Sequence, residues 1–516
     1  MTMFTSARKK WRTHMMSNLF LNAEVLPEPE LEFASRQQIE HPATGLGLFG
    51  PVDSSGIEKP NRISYAVIGS PDGIAGFGAF AARLNSPIDP PPDRSEILWP
   101  HYPGFEEALH AVFPKSAPLS EPLDPKEVEA TANQGDDHKR VFDVTSLYLR
   151  AIQALARKDT AIDVTICVVP EIVYTNCRPL SKVSKGTGKR LSGKEVRLRR
   201  QTADLFGGYD SEQYDFSLDF RRQIKARAME CKMPIQIVRE STLNLSDEKP
   251  PWGQRVLTPL SDRAWNLSTA LYYKSGRKPW KLPGARDGVC YVGIAFKRTD
   301  EHGRTACSAA QMFLDDGDGI VFLGDYGPWY SPDSKQCHLS RPAAKRLLAG
   351  VLKTYEEQHG KALREVFLHC RSTIDDEEWR GYEEACPKGV KLVGIRVVPD
   401  RRGLKAYRSG TRPVVRGTFW KVSERAGYLW AAGFKPVLRT YDGWDVPEPL
   451  RIDVQHGDAD IRQVAVDIFG LTKLNYNACK LGESQPVTVH FSDAVGEILV
   501  ANQGAKHFLP NFKYYV

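Results

Sequence analysis

The order of apolar segments after Gly288 constrains the fold more than any other feature of this 516-residue chain. Three strand-like runs come in succession, "VCYVGIAFKR", "ACSAAQMFL" and "GIVFLG", with "DDGDG" before the last. Asp-Gly supplies the positive φ that a hairpin turn needs, so Asp315, Asp316 and Asp318 read as turn chemistry rather than as a metal site. The calcium-loop pattern also lacks its closing Glu there. The helical run "RPAAKRLLAGVLKTYEEQ" then alternates with the strand "EVFLHC", the helix "DDEEWRGYEEA" and the strand "VKLVGIRVV". Consecutive strands can pair as hairpins, whereas strands separated by helices pair in parallel. One mixed sheet covered by helices is the fold this order allows.

The β-β-β-α-β-α-β order is that of a ribonuclease H-like fold. Upstream, from about residue 139, a second alternating series appears. The helical "RVFDVTSLYLRAIQALAR", the β-branched strand "IDVTICVVP", a helix opening "FRRQIKARAM", the strand "PIQIV" and the helix "SDRAWNLSTALYYKSG" form a small doubly wound, Rossmann-like α/β unit. Residues 24–69 read as short strands and turns ("LEFA", "GLGLFGP", "ISYAVIG"), followed by the helix-like "GFGAFAARL", a Pro-rich loop, the short helix "GFEEALHAVF" and a polar linker at 115–136. The division this suggests is a flexible tail at 1–24, a linker-like region at 25–136, the small α/β unit at 137–286 and the larger unit at 287–516.

Bulk composition excludes more than it assigns. An apolar fraction of 41% and a charged fraction of 26% suit a soluble globular chain. The formal charge of +7 permits a polyanionic partner without requiring one. Nine cysteines are scattered without C-x-x-C or zinc spacing, and no secretory signal or long apolar span appears, so reduced thiols in a cytoplasm are expected. The basic start "MTMFTSARKKWRTHMM" reads as a mobile tail or the product of a misplaced start codon, with a transit peptide as second choice.

Three glycine motifs fail their contexts. "GLGLFG" has no strand before it and Pro51 after it; "GFGAFA" has the strand and helix but no second strand ending in an acid; "GTGKR" lacks the first Gly and the Ser/Thr of a phosphate loop. All three are read as turns.

The basic helix is more informative. Arg221 and Lys225 are four apart and share a face, and Asp215, Ser217 and Asp219 can cap the start. Cations near a helix start reinforce its free N–H groups in holding a phosphate. Gln236 lies in the next strand and Lys274 ends the next helix. The plain alternative is a solvated charged face for Arg221, Lys225 and Arg227.

An aromatic, His or Arg four before a Lys, a Gln about eleven residues on, and a Lys after a helix resembles the MID domain of Argonaute proteins. The segments "GLGLFGP", "VVPEIVYTNCRP", "QIVREST", "YYKSGRKPWKL", "AAQMFLDDGDG" and "LTKLNYNAC" are similar to short prokaryotic Argonautes, which have MID and PIWI domains without PAZ. The likeness is greatest to members paired with a TIR-APAZ protein, the SPARTA type. It implies that Arg221, Lys225, Gln236 and Lys274 bind the 5′-phosphate of a guide, with Lys278 as an added contact. It also implies that Val516 completes the pocket with a divalent cation such as Mg²⁺, which the aromatic ending "PNFKYYV" suits as a buried terminus. Residues 137–286 would be MID, 287–516 PIWI, and 25–136 the linker region packed on PIWI.

The resemblance also implies a lost nuclease. Two-metal hydrolysis needs carboxylates converging from several strands. Ala295 stands where the first Asp is expected, Arg371 where the second is expected, and Asp493 matches the fourth ligand; the mobile Glu is not placed. The loop "KVSKGTGKRLSGKEVRLRR" suggests contact with a nucleic-acid backbone through Lys185, Lys189, Arg190 and Arg197, or else a solvated basic loop. The expectation is a sensor loaded with guide RNA that recognises complementary single-stranded DNA and activates an APAZ-containing effector, a TIR NADase first among the options. Alternatives are a guided nuclease with a relocated metal site, a sirtuin-APAZ or nuclease-APAZ partner, and an unguided nucleic-acid binder. The assembly expected is a heterodimer, with a higher oligomer on activation as an option.

Overall fold

The computed structural model describes residues 23–54, 62–181, 183, 216–248, 256–283, 286, 288–298, 305–313, 319–322, 329–331, 336–359, 362–401, 403–441, 443, 445–502 and 509–516. The three turn aspartates, Asp215, the "GTGKR" motif and the basic-loop residues Lys185, Lys189, Arg190 and Arg197 lie outside the described residues.

The order read after Gly288 is present. Strand Val289–Arg298 pairs antiparallel with Thr305–Phe313, which pairs antiparallel with Gly319–Phe322. Glu365–Cys370 pairs in parallel with Val289–Arg298 on one side and Lys391–Pro399 on the other. Leu450–His456, Ala426–Trp430, Thr418–Ser423 and the N-terminal strand Ala23–Val25 extend this to nine strands. Helices Arg341–His359 and Asp376–Ala385 cover one face, through Leu347, Val351 and Tyr382. Helices Ile461–Leu471 and Val487–Leu499 bury their apolar stripes in the core of the other face.

The second sheet has four parallel strands, ordered Leu119–Pro122, Tyr65–Gly69, Val164–Val169, Ile235–Arg239. The chain is therefore α/β, with a Rossmann-like unit and a ribonuclease H-like unit. The boundary expected at 136/137 cuts through the smaller sheet, because Tyr65–Gly69 and Leu119–Pro122 come from the stretch read as linker. Local pattern cannot show that a strand pairs with one about 100 residues away; only the sheet does.

Two glycine readings are corrected. "GLGLFG" is not a turn but part of helix Pro42–Phe49, with Pro42 in its first turn, His41 as N-cap and Gly50 at φ 77° ending it. Gly45 is there for packing, since a Cβ would lie 2.1 Å from the Phe33 ring. "GFGAFA" lies inside helix Pro71–Leu84, so the helix-like reading of "GFGAFAARL" holds and the turn reading of its glycines does not. Its cap Ser70 donates to Glu240 at 2.8 Å, so an internal carboxylate stands at the helix start.

The "LTKLNYNAC" and "YYKSGRKPWKL" segments join the two units. Trp280 Nε1 donates to the Lys473 carbonyl at 3.1 Å, Tyr476 donates back to the Trp280 carbonyl at 2.9 Å, and the Tyr273 and Tyr476 rings lie 4.6 Å apart. None of the eight described cysteines forms a disulfide, and no described helix is long and apolar enough to cross a membrane.

Helix Val487–Leu499 lies close against strand Val289–Arg298 at Gly293, where an added Cβ would meet the Thr488 carbonyl oxygen at 1.8 Å. Neither backbone can yield without shifting an element. Gly293→Ala is expected to lower stability by about 1–3 kcal/mol, the usual cost of overpacking, read as a lower urea midpoint with an unchanged slope.

Candidate anion-binding site

Helix Phe220–Ala228 starts at Asp219, whose carboxylate accepts from the Arg222 N–H at 3.0 Å. Its apolar side, Phe220 and Ile224, packs on the long helix Asp137–Ala156 in the core of the smaller unit. Lys225 lies in the buried part of this helix and is only 4% exposed. Lys274 ends helix Leu260–Lys274 and is 1% exposed. The solvated-face reading is thus wrong for Lys225. It is also wrong for Arg227, whose guanidinium lies 4.4 Å from the Phe142 ring centroid and bonds Ser146 at 3.0 Å.

Both ammonium groups donate to the main-chain oxygen of Val516, and Lys225 also donates to the Tyr515 carbonyl at 3.0 Å. This meeting point is built from both units. The closing segment is held by an N–H of Val321 on the Pro510 carbonyl at 2.7 Å, by Phe512 against Phe491 at 4.9 Å, and by Tyr515 Oη on the Leu509 carbonyl at 2.9 Å. Val516 is 5% exposed, so the aromatic ending is buried, as its composition suggested.

Both lysines are pushed below the ordinary lysine range. Burial, then the neighbouring Lys274 and Arg221 charges, push Lys225 well below the ordinary lysine value. Burial and Arg221 push Lys274 down to about 7. Two ammonium groups carry six N–H donors, and the Val516 and Tyr515 oxygens account for three of them. An anion placed against the rest would restore both lysines to the charged form.

The other candidates fall around this point unequally. Arg221 is exposed, one turn from Lys225. It lines a cavity of about 420 Å³ at the carboxyl ends of strands Val164–Val169 and Ile235–Arg239, with Tyr174, Arg178, Arg239 and Glu497 also in the wall. The Tyr174 ring there carries the Arg239 and Arg178 guanidinium groups at 3.4 and 3.8 Å. Gln236 is not brought into the cluster by its hydrogen bond: its amide donates to the next carbonyl, Ile237, at 3.1 Å. Lys278 is half-buried, and its backbone N–H donates to Asp53 at 2.8 Å.

Ala295 and Arg371 leave the larger sheet side by side, since Cys370 pairs with Ile294. Asp493, on helix Val487–Leu499, is held by Lys297 at 3.1 Å and by Arg371. The sequence reading missed Lys297; its place two residues beyond Ala295 on the same strand face was the available signal.

No protein-family model matches the chain, and no curated protein does. Solved structures do. Clostridium butyricum Argonaute bound to a guide DNA and a 19-mer target DNA matches with a TM-score of 0.61 and 15% identity, over 94% of this chain and 54% of that one. A. aeolicus Argonaute matches at 0.54 and 13%, and Drosophila Piwi at 0.57 and 13%, each over 96% of this chain and 56% of the other. The chain thus spans about half the length of these proteins. At such identities the likeness is one of fold, and the fold is that of Argonautes.

Anion binding here should be linked to protons. Above pH 7 the free Lys274 is largely neutral, whereas the anion-bound form is charged. Binding of inorganic phosphate at pH 8 is therefore expected to take up protons, so its calorimetric heat changes between buffers of different ionisation enthalpy. Affinity should fall as pH rises from 7 to 9, and Lys274→Met should reduce the uptake, leaving only the share that comes from Lys225.

Proposed function

We propose that the chain is a nucleic-acid-guided sensor that holds the 5′-phosphate of a short guide and recognises a complementary strand by base pairing. The observation that carries this reading is the pair of buried lysines, Lys225 and Lys274, converging on Val516 with donors to spare in an Argonaute fold. Arg221 and the arginines of the neighbouring cavity supply the charge for the nucleotides that follow. Base pairing then reads sequence while the protein grips backbone, which gives affinity without sequence preference.

The guide in this reading is RNA and the target single-stranded DNA. Target binding changes the state of an APAZ-containing partner whose effector domain, a TIR NADase in the first instance, depletes NAD(P)⁺ in defence against plasmids or phage. The chain itself contributes binding rather than bond cleavage. Ala295 offers no metal ligand, and the Arg371 guanidinium holds the Asp493 carboxylate that a metal would need. A relocated metal site is poorly supported. Among the described residues, His338, Asp375 and Glu378 have metal-like spacing. However, Glu378 is 2% exposed and its oxygens accept from the Leu339 and Asp375 N–H groups and pair with His338. Such a carboxylate is a helix cap, out of reach of a scissile phosphate.

The test compares otherwise identical oligonucleotides bearing a 5′-phosphate or a 5′-hydroxyl. Wild type should prefer the phosphate, and Lys225→Ala and Lys274→Ala should each lose about 2–5 kcal/mol of that binding. Equal affinity for both ends, or unchanged affinity in both variants, would sink the reading. Incubation of the loaded chain with target and Mg²⁺ or Mn²⁺ should leave the target uncut.

A further inference from the structure

A continuous chain of ion pairs runs from the basic helix to the ends of the parallel strands of the larger sheet. Arg222 meets Glu497 at 3.1 Å, Glu497 meets Lys297 at 3.4 Å, Lys297 meets one oxygen of Asp493 at 3.1 Å, and Arg371 meets the other. Three cations therefore serve two carboxylates. The side chains stay between 23% and 41% exposed, with Arg371 the most open. Arg371 also donates to Gln485 at 2.7 Å, which fixes its direction. The chain lies at the carboxyl ends of Val289–Arg298 and Glu365–Cys370, where open α/β sheets take their ligands. Through Arg222 and Glu497 it is continuous with the arginine-lined cavity of the smaller unit.

The arrangement around Asp493 has a specific chemical match. Its two oxygens are divided between an ammonium and a guanidinium. A phosphodiester presents two non-bridging oxygens that share one negative charge at a similar spacing, so it can replace the carboxylate in the same fork. The exchange costs little, because ion pairs this exposed are worth about 0–1 kcal/mol. A nucleic-acid strand adds the release of its counterions, which a carboxylate on the protein cannot.

We propose that Lys297 and Arg371 form a binding site for a backbone phosphodiester of the target strand, with Asp493 as the internal anion that it displaces. This rests on the guided reading above and gives the ion-pair cluster a role of its own. Lys297 is shared with Glu497, and Glu497 with Arg222, so the exchange also reaches the first turn of the helix that carries Lys225.

The experiment uses the full chain loaded with a 5′-phosphorylated guide. Affinity for a complementary single strand is measured at several salt concentrations. Guide affinity is measured separately, and thermal unfolding reports folding. Each phosphate contact adds about 0.7–0.9 to the slope of log K against log salt. Lys297→Met with Arg371→Met should remove that one phosphate contact and so reduce the slope by about 0.7–0.9 without changing guide affinity. Each single variant should give half the change, which decides the matter if the double variant fails to fold. Asp493→Asn should tighten target binding severalfold by freeing both cations. An unchanged slope in folded, guide-loaded variants overturns the proposal, as does weaker target binding by folded Asp493→Asn. Failure of the wild-type chain to hold a guide would instead strike the guided reading, and the guide measurement shows that separately.

Discussion

Lys225 and Lys274 are shut away from water, and two amine ends in that position must find oxygen. An uncompensated buried charge costs several kcal/mol, so neither helix could hold its lysine without the main-chain oxygens of Tyr515 and Val516. Those oxygens arrive because the closing segment is fixed elsewhere. Asn511 bridges to Ile320, Val321 donates to Pro510, and Phe512 packs on Tyr273 and Phe491. The same segment covers strand Gly319–Phe322, the last in the larger sheet, whose edge would otherwise be open. One short stretch thus closes a sheet, joins two units and supplies the oxygen around which the cations gather.

A second buried cluster holds the N-terminal segment to this frame. Glu28 accepts from Arg416 at 2.9 Å and from Lys473 at 2.9 Å, and Arg416 is 2% exposed. Burial raises the Glu28 carboxyl, but the two cations outweigh it and leave the group below its ordinary value. Lys473 is the residue whose carbonyl takes the Trp280 N–H. The N-terminal segment, the larger unit and the connection between units therefore share one hydrogen-bonded group. That places the smaller unit firmly enough for the segment around Val516 in one unit to complete a site in the other.

Five of the nine strands of the larger sheet were legible because they carry local signals, apolar strand-like runs set among clean helical stripes, whereas Ala23–Val25, Thr418–Ser423, Ala426–Trp430 and Leu450–His456 were not read as strands. The smaller sheet was half legible. Val164–Val169 and Ile235–Arg239 stood out, but Tyr65–Gly69 and Leu119–Pro122 are assigned by pairing across long loops, which no local pattern encodes. "GLGLFG" was misread because its glycines look like turn signals when one of them is spacing for the Phe33 ring. In the candidate site, Lys225, Lys274 and Val516 were visible as a spaced pattern and an aromatic ending. The direction of the Gln236 amide was not, since strand alternation fixes a face and not a hydrogen bond. Lys297 and Glu497 escaped notice because single charges on a strand and a helix carry no motif until the fold brings them together.

The two cation clusters answer the same physical problem differently. At Val516 the lysines are buried, the charge is dear, and the site gains by admitting an anion that restores their protons. At Asp493 the cations are half-exposed, the pairs are weak, and an incoming anion finds a carboxylate that is easily exchanged. A tight site and a loose site follow from burial: two ammonium groups on main-chain oxygens at Val516, and an ammonium and a guanidinium on a carboxylate at Asp493. Glu497 and Arg222 link them over one helix–helix contact. If, as proposed, the chain holds one strand while testing another, that difference in depth would separate the strand that stays from the strand that comes and goes.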